Sequence, residues 1–283
     1  MRTIEDACIR EAVRAQENVG LKGITDGEFR RTYFHVNFLE SVVTKTPKVC
    51  IPAPSMQHFR GGRQATSDSV YPGLQQFYVD LAAACRDEIA DLAARSCRYL
   101  QLDDANLAYL CDPKIPDATR ARGDDPDALT RLYCRLVNDA IRDRPKNMTI
   151  SLHLCRGKLK SAWVAEGGYE PVAEILRNEM KIDGFFLEYD DERSGDFAPL
   201  RFTPKGKTIV LGLMSSKRAE AEPKDEVKRR IDEASKYVAF EQCALSHQRG
   251  FSSSAHGNDL AETDEWRKLE RCVAIAREAW GDA

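Results

Sequence analysis

Short apolar runs alternate with amphipathic helical segments along almost the whole chain, and seven such runs stand out. A strand flanked by helices cannot turn back as a hairpin; it crosses over and pairs in parallel. The runs lie at Leu21–Glu28, Lys48–Pro52, Arg98–Asp104, Met148–Cys155, Gly184–Asp190, Thr208–Met214 and Phe240–Ser246. Helical spacing covers about Thr3–Asn18, Gly73–Ala94, 126–142, 170–181, Pro223–Tyr237 and Thr263–Trp280. Repeated βα units in this number predict an α/β fold, a (β/α)8 TIM-type barrel. The 283 residues suit one barrel domain over 1–283, because such a barrel takes roughly 250. The first element is already a helix, so the predicted barrel lacks the usual first strand. The seam this leaves is expected to be narrowed by a strand shift, covered by the N-terminal segment, or paired with another chain.

In a parallel barrel, chemistry gathers at the carboxyl ends of the strands. Four runs here end in polar residues: Asp26 and Glu28, Asp103 and Asp104, His153 and Cys155, and Glu188. Strand alternation puts His153 and Cys155 on one face, opposite Leu152 and Leu154, and puts Phe186 with Glu188. A carboxylate ending an apolar run is costly unless it has a use. Imidazole, thiolate and carboxylate converging at one rim make a plausible three-ligand zinc site with a fourth position open. The expectation is therefore that His153, Cys155, Glu188 and Asp103 line one mouth.

Five segments together carry a family resemblance: Ile24–Arg31, Leu100–Asp104, His153–Gly157, Leu187–Asp190 and Leu211–Leu213. In this order they resemble the catalytic domain of cobalamin-independent methionine synthase, and most of all the short, single-domain members of that superfamily. The resemblance implies a barrel whose zinc binds a thiol substrate and lowers its pKa, so that the thiolate attacks a methyl group on a folate. It implies that His153, Cys155 and Glu188 are the metal ligands, and that Glu28 and Asp103 hold the ammonium of an amino-acid thiol. Asp26 and Arg30 are further candidate substrate-binding residues, with Arg30-Arg31 suited to a carboxylate or phosphate.

The chain departs from the family at one ligand. A cysteine precedes a glycine on the family's last strand, whereas Arg249 precedes Gly250 here. A guanidinium is a permanent cation and cannot ligate zinc. Cys243 lies six residues away, too far to replace it, while His247 is two residues back and could ligate if the chain bends. Zinc is thus expected to be weakened, and Glu188, Arg249 and His247 are the candidate catalytic residues. The leading expectation is S-methyl transfer to a thiol such as homocysteine from a methyltetrahydrofolate-type donor, with folate as co-substrate. An alternative is a metal-free lyase, isomerase or hydrolase in which Arg249 faces an anionic substrate and Glu188, His153 or Asp103 is the base. A third is a relative that binds a ligand without turnover.

The remaining signals exclude more than they assign. With 42 Lys+Arg against 45 Asp+Glu, the formal charge of −3 argues against a nucleic-acid partner. No apolar run reaches the roughly 20 residues of a membrane span, and the first residues do not read as a secretory signal. Nine scattered cysteines without a CxxC pair read as reduced thiols of a cytoplasmic protein. Small-molecule substrate is the expected partner, with a homo-oligomer possible. Arg156 and Lys158 are candidates for an acidic substrate tail, and Trp163 for a face against a pterin. His35, His58 and His256 sit in loop-like contexts.

Overall fold

The structure, a computed structural model, describes residues 2–27, 44–59, 61–121, 124–157, 162–251 and 258–281. Its strands are β1 (Gly23–Ile24), β2 (Thr46–Pro52), β3 (Tyr99–Asp104), β4 (Thr149–Leu154), β5 (Gly184–Glu188), β6 (Thr208–Met214) and β7 (Cys243–His247). The helices are α1 (Arg2–Val19), α2 (Leu74–Ala94), α3 (Asn106–Tyr109), α4 (Ile115–Ala121), α5 (Pro126–Ile141), α6 (Glu170–Glu179), α7 (Lys224–Ala234) and α8 (Glu262–Trp280). Local chemistry sets these boundaries. In α5, Asp125 caps the amide groups of Asp127 (2.8 Å) and Ala128 (3.2 Å), and Pro126 opens the first turn. Its stripe Leu129, Tyr133, Leu136, Val137 and Ala140 is buried, the spacing of one helix face.

All neighbouring strands pair in parallel and in sequence order, β1 through β7, with no reversal. That order winds in one direction, as in a barrel, and has no switch point of the open doubly wound kind. The sheet is a curled seven-stranded half-barrel. Among the described residues no pairing joins β7 to β1, so the described strands form a half-barrel of the TIM type that lacks a strand. The helical layer nevertheless meets across the gap, since α1 packs on α8. A Cβ at Gly20 would lie 3.5 Å from Val273 of α8.

Register separates two faces. Leu100, Leu102, Ile150, Leu152, Leu154, Phe185, Leu187, Ile209 and Leu211 are all buried beneath the helices. The other face carries Lys48, Cys50, Tyr99, Asp103, Phe186 and Ser246, each half-buried on the concave side. One row of register runs Pro52, Asp103, His153, Phe186, Val210, Ala244 across six strands. Two runs proved shorter than their sequence suggests. Among its described residues the run Leu21–Glu28 supplies the two-residue β1, and residues 28–43, where most of a strand near 35–45 would fall, lie outside the described residues. Phe240–Gln242 is a 3-10 turn, because the Gln242 amide donates to Ala239 O at 2.9 Å and its side chain ties to Pro204 O and Lys207 O, each at 2.8 Å. No helix among the described residues is long and apolar enough to cross a membrane.

Candidate active site at the carboxyl ends of the strands

β4 and β5 position the central groups. His153 is the penultimate residue of β4, Cys155 follows its last residue, and Glu188 ends β5; all three are buried. Asp103 stands beside His153 in the pairing of β3 with β4, where its carboxylate accepts from Gln101 Nε2 at 2.7 Å. Burial raises the Cys155 thiol most, and the Glu188 and Asp103 carboxylates lie near enough to raise it further.

Burial dominates the site's protonation. It drives the His153 imidazole down to about 3, and the positive charges of Arg249 and Lys48 push the same way. His153 is therefore neutral at pH 7, and its buried Nε2 makes no hydrogen bond among the described residues. Burial pushes the Cys155 thiol up, against the opposing pull of Arg249. It also pushes the Glu188 carboxyl up, opposed by the Arg156 amide and guanidinium, with Asp190 raising it further and Lys217 opposing.

Arg156 is a brace, not a substrate ligand. Its fully buried guanidinium donates to Gly167 O from Nε (3.1 Å) and Nη2 (2.6 Å), and from Nη1 to Tyr169 Oη (3.0 Å) and Glu188 O (3.1 Å). Its backbone N–H donates to Glu188 Oε2 at 2.6 Å, and Glu188 N–H donates to Tyr169 Oη at 2.9 Å. This network fixes the loop after β4 to the end of β5. Gly167 must be glycine, because φ is +112° and a Cβ would sit 2.2 Å from Cys111 O.

Several sequence candidates fall elsewhere. Asp104 faces the helices, where it is buried, accepts from Ser55 Oγ and caps α3 through the amides of Asn106 (2.6 Å) and Leu107 (3.0 Å). His58 is also structural, with Nδ1 3.0 Å from Tyr133 Oη and Nε2 3.0 Å from Tyr78 Oη. His247 is buried at the end of β7 with its ring 4.8 Å from that of Phe251. A register shift between Gly212 and Met214 pairs it with Met214. Asp26 is half-buried just beyond β1. Glu28, Arg30, Arg31, His35, Lys158 and His256 lie outside the described residues. Trp163 is half exposed and carries the Arg193 guanidinium 3.9 Å over its ring. Cys243 is buried on the helix side, as its pairing with Ile209 requires.

Arg249 lies where it acts on both His153 and Cys155. Its Nη1 is buried and makes no hydrogen bond among the described residues. Lys48, which sequence reading passed over, is a second cation on this face: its Nζ stands 4.0 Å over the Phe186 ring. The signal available for it was a lysine on the same alternation as Pro52 in an otherwise apolar run.

No family model matches the chain. Two Bacillus subtilis relatives do, the uncharacterized proteins YxjH, 37% identical, and YxjG, 39% identical, each over 99% of this chain and 86% of the relative. Those alignments span 329 positions against 283 residues here, so the relatives carry additional residues within the matched region. A Listeria monocytogenes protein of known structure, provisionally named a vitamin-B12-independent methionine synthase, is 34% identical over 99% of this chain and 88% of its own, with a TM-score of 0.81. The chain belongs to the cobalamin-independent methionine synthase superfamily, in its short single-domain form. The B12-independent methionine synthase of a Shewanella species, solved with selenomethionine, shares the superfamily fold at a TM-score of 0.72 and 17% identity, over 98% of this chain and 87% of that one. A zinc site needs a set of converging ligands. Here, among the described residues, no three His, Cys, Asp or Glu side chains stand close enough together to hold a metal ion.

Proposed function

We propose that this protein transfers a methyl group to the sulfur of an amino-acid thiol of the homocysteine kind, in the polar pocket at the carboxyl ends of β3, β4 and β5. The observation that carries this reading is the joint placement of Asp103, His153, Cys155 and Glu188 on adjoining parallel strands, in a chain of the methionine synthase superfamily. A methylated reduced folate is the donor that the family suggests. The Shewanella protein was solved in complex with selenomethionine, an amino acid of the class this reading requires.

Zinc does not fit this donor set as it stands. The buried, unpartnered Nε2 of His153 is a suitable ligand atom. Against it, Glu188 Oε2 is already engaged by the Arg156 amide, no three candidate ligands converge among the described residues, and Arg249 adds a fixed positive charge. The reaction is therefore built from the chain's own groups. Glu188, with its carboxyl pushed above the usual range by burial, accepts the thiol proton. Arg249 faces the thiolate and stabilises it electrostatically in a site shielded from water. The sulfur lone pair forms the S–C bond as the donor's N–C bond breaks, and the proton held by Glu188 passes to the leaving nitrogen. His153, neutral at pH 7, serves as a hydrogen-bonding wall.

The test is direct. Purified protein is incubated with L-homocysteine and 5-methyltetrahydrofolate, and methionine is measured by mass spectrometry. Glu188→Gln should lower kcat by 100-fold or more, as loss of a general base does. Turnover unaffected by Glu188→Gln, or absent from the wild type, would remove the assignment.

A further inference from the structure

The pairing of β4 with β5 stops one residue early. It runs through His153–Phe186 to Leu154–Leu187 and ends there, whereas β5 continues beside β6 through Glu188–Gly212. Successive residues of a parallel strand bond to opposite neighbours. Tyr189 N–H donates to Gly212 O on β6 at 2.9 Å, so Glu188 N–H faces β4, where the register makes Leu154 O its ladder acceptor. The Tyr169 hydroxyl stands in that rung instead. Its Oη accepts from Glu188 N–H at 2.9 Å and donates to Leu154 O at 3.1 Å. Oη also accepts from Arg156 Nη1 at 3.0 Å, and one proton given with two accepted saturates a phenol oxygen. Burial pushes the phenol well up, so it keeps that proton at neutral pH. The ring itself is buried, edge-on to Tyr189 at 5.4 Å between centroids, with the Arg156 guanidinium 4.3 Å over its face.

The next rung is altered as well. Arg156 N–H would meet Glu188 O in a continued ladder, but it donates to Glu188 Oε2 at 2.6 Å, and Arg156 Nη1 serves Glu188 O at 3.1 Å. From this geometry we infer that Tyr169 is the positioning residue of Glu188: by standing between the two strand ends, its hydroxyl keeps the Arg156 amide on the Glu188 carboxylate. Without the hydroxyl, Glu188 N–H and Leu154 O close on each other and the ladder advances by one rung. Arg156 N–H then meets Glu188 O, and the carboxylate is released. Both backbone groups stay paired, so Tyr169→Phe is expected to fold. The consequence for catalysis rests on the reading of Glu188 as the proton acceptor; the placement of its carboxylate does not.

Tyr169→Phe tests this, with Tyr189→Phe as control, because the Tyr189 hydroxyl is buried beside it but makes no hydrogen bond among the described residues. The readouts are a crystal structure and the titration of Glu188 by carbon NMR of glutamate-labelled protein, the resonance being the one lost in Glu188→Gln. The Arg156 amide holds the Glu188 carboxyl down, so in Tyr169→Phe its midpoint should rise by about one pH unit or more. Glu188 N should then lie about 3 Å from Leu154 O. Tyr189→Phe should change neither. In methyl transfer, the acid limb of the kcat–pH profile should move up with Glu188 in Tyr169→Phe and stay in place in Tyr189→Phe. An unmoved midpoint in folded Tyr169→Phe, a Tyr169→Phe chain that does not fold, or a wild-type crystal structure with Glu188 N bonded directly to Leu154 O overturns the inference. A raised midpoint in a protein whose wild type transfers no methyl group leaves the positioning role standing and removes the reaction. Transfer by the wild type with the midpoint unmoved in Tyr169→Phe does the reverse.

Discussion

Replacing Arg156 by methionine removes a guanidinium that is fully buried and keeps much of its aliphatic bulk. Gly167 O then loses both of its donors from this side chain, at 3.1 and 2.6 Å, and Glu188 O loses one at 3.1 Å. A hydrogen bond from a charged donor contributes about 1.5–3 kcal/mol. Two buried carbonyls deprived of such donors, together with loss of the cation 3.8 Å from Glu188 Oε2, point to about 4 kcal/mol. Native domains have only about 5–15 kcal/mol in total. The expected result is a large fall in urea midpoint at unchanged m-value, followed by circular dichroism. Arg156→Lys should recover only part of the loss, because one ammonium cannot span Gly167 O, Tyr169 Oη and Glu188 O. The Glu188 carboxyl, deprived of its neighbouring cation, should also titrate higher. A loss below about 1 kcal/mol for Arg156→Met would show that the brace is dispensable and that the network reasoning is wrong.

Four further outcomes follow from the same geometry. His153 has its folded value lowered from 6.5 to about 3, so its contribution is present above pH 6.5 and is lost as pH falls toward 3; denaturation midpoints measured across that range should fall for the wild type and flatten for His153→Gln. Glu188 has the opposite sign, with stability lost as pH rises from 4.5 through its raised folded value, and Glu188→Gln should remove that fall from the same curve. Gly212→Ala places a Cβ 2.7 Å from both Gln248 Cα and Leu187 O, so it should destabilise by about 1–3 kcal/mol and speed amide exchange at Tyr189, whose N–H donates to Gly212 O. Arg249→Cys removes a repulsion of about 3–5 kcal/mol between a guanidinium and a divalent cation several ångströms away; elemental analysis should find far below one zinc per chain in the wild type and a marked rise in the variant, and full zinc in the wild type would refute the electrostatic argument.

The amino-acid sequence by itself determined the order of elements, the βα alternation and which residues share a strand face. These are local and periodic properties: Leu152 and Leu154 must oppose His153 on any strand, and the stripe on α5 follows from helical spacing. It also placed His153, Cys155 and Glu188 at strand ends, because strand limits can be read from the runs themselves. Tertiary structure alone decided the rest. Period-two alternation says which way a side chain points but not which residue stands beside it on the next strand. Register therefore had to come from the fold, and with it the row of Pro52, Asp103, His153 and Phe186. The same holds for the Lys48 ammonium over Phe186, a contact between residues 48 and 186 that no local pattern encodes. Asp104 differs from Asp103 by one position, yet that step turns it from the pocket to the helices, where it caps α3. Arg156, in sequence a candidate for an acidic substrate tail, is instead a buried brace, because its partners Gly167, Tyr169 and Glu188 arrive only when the following loop folds back. Whether seven strands close or stay open is likewise a matter of curvature and edge pairing between the two ends of the chain, set by contacts that the linear pattern does not contain.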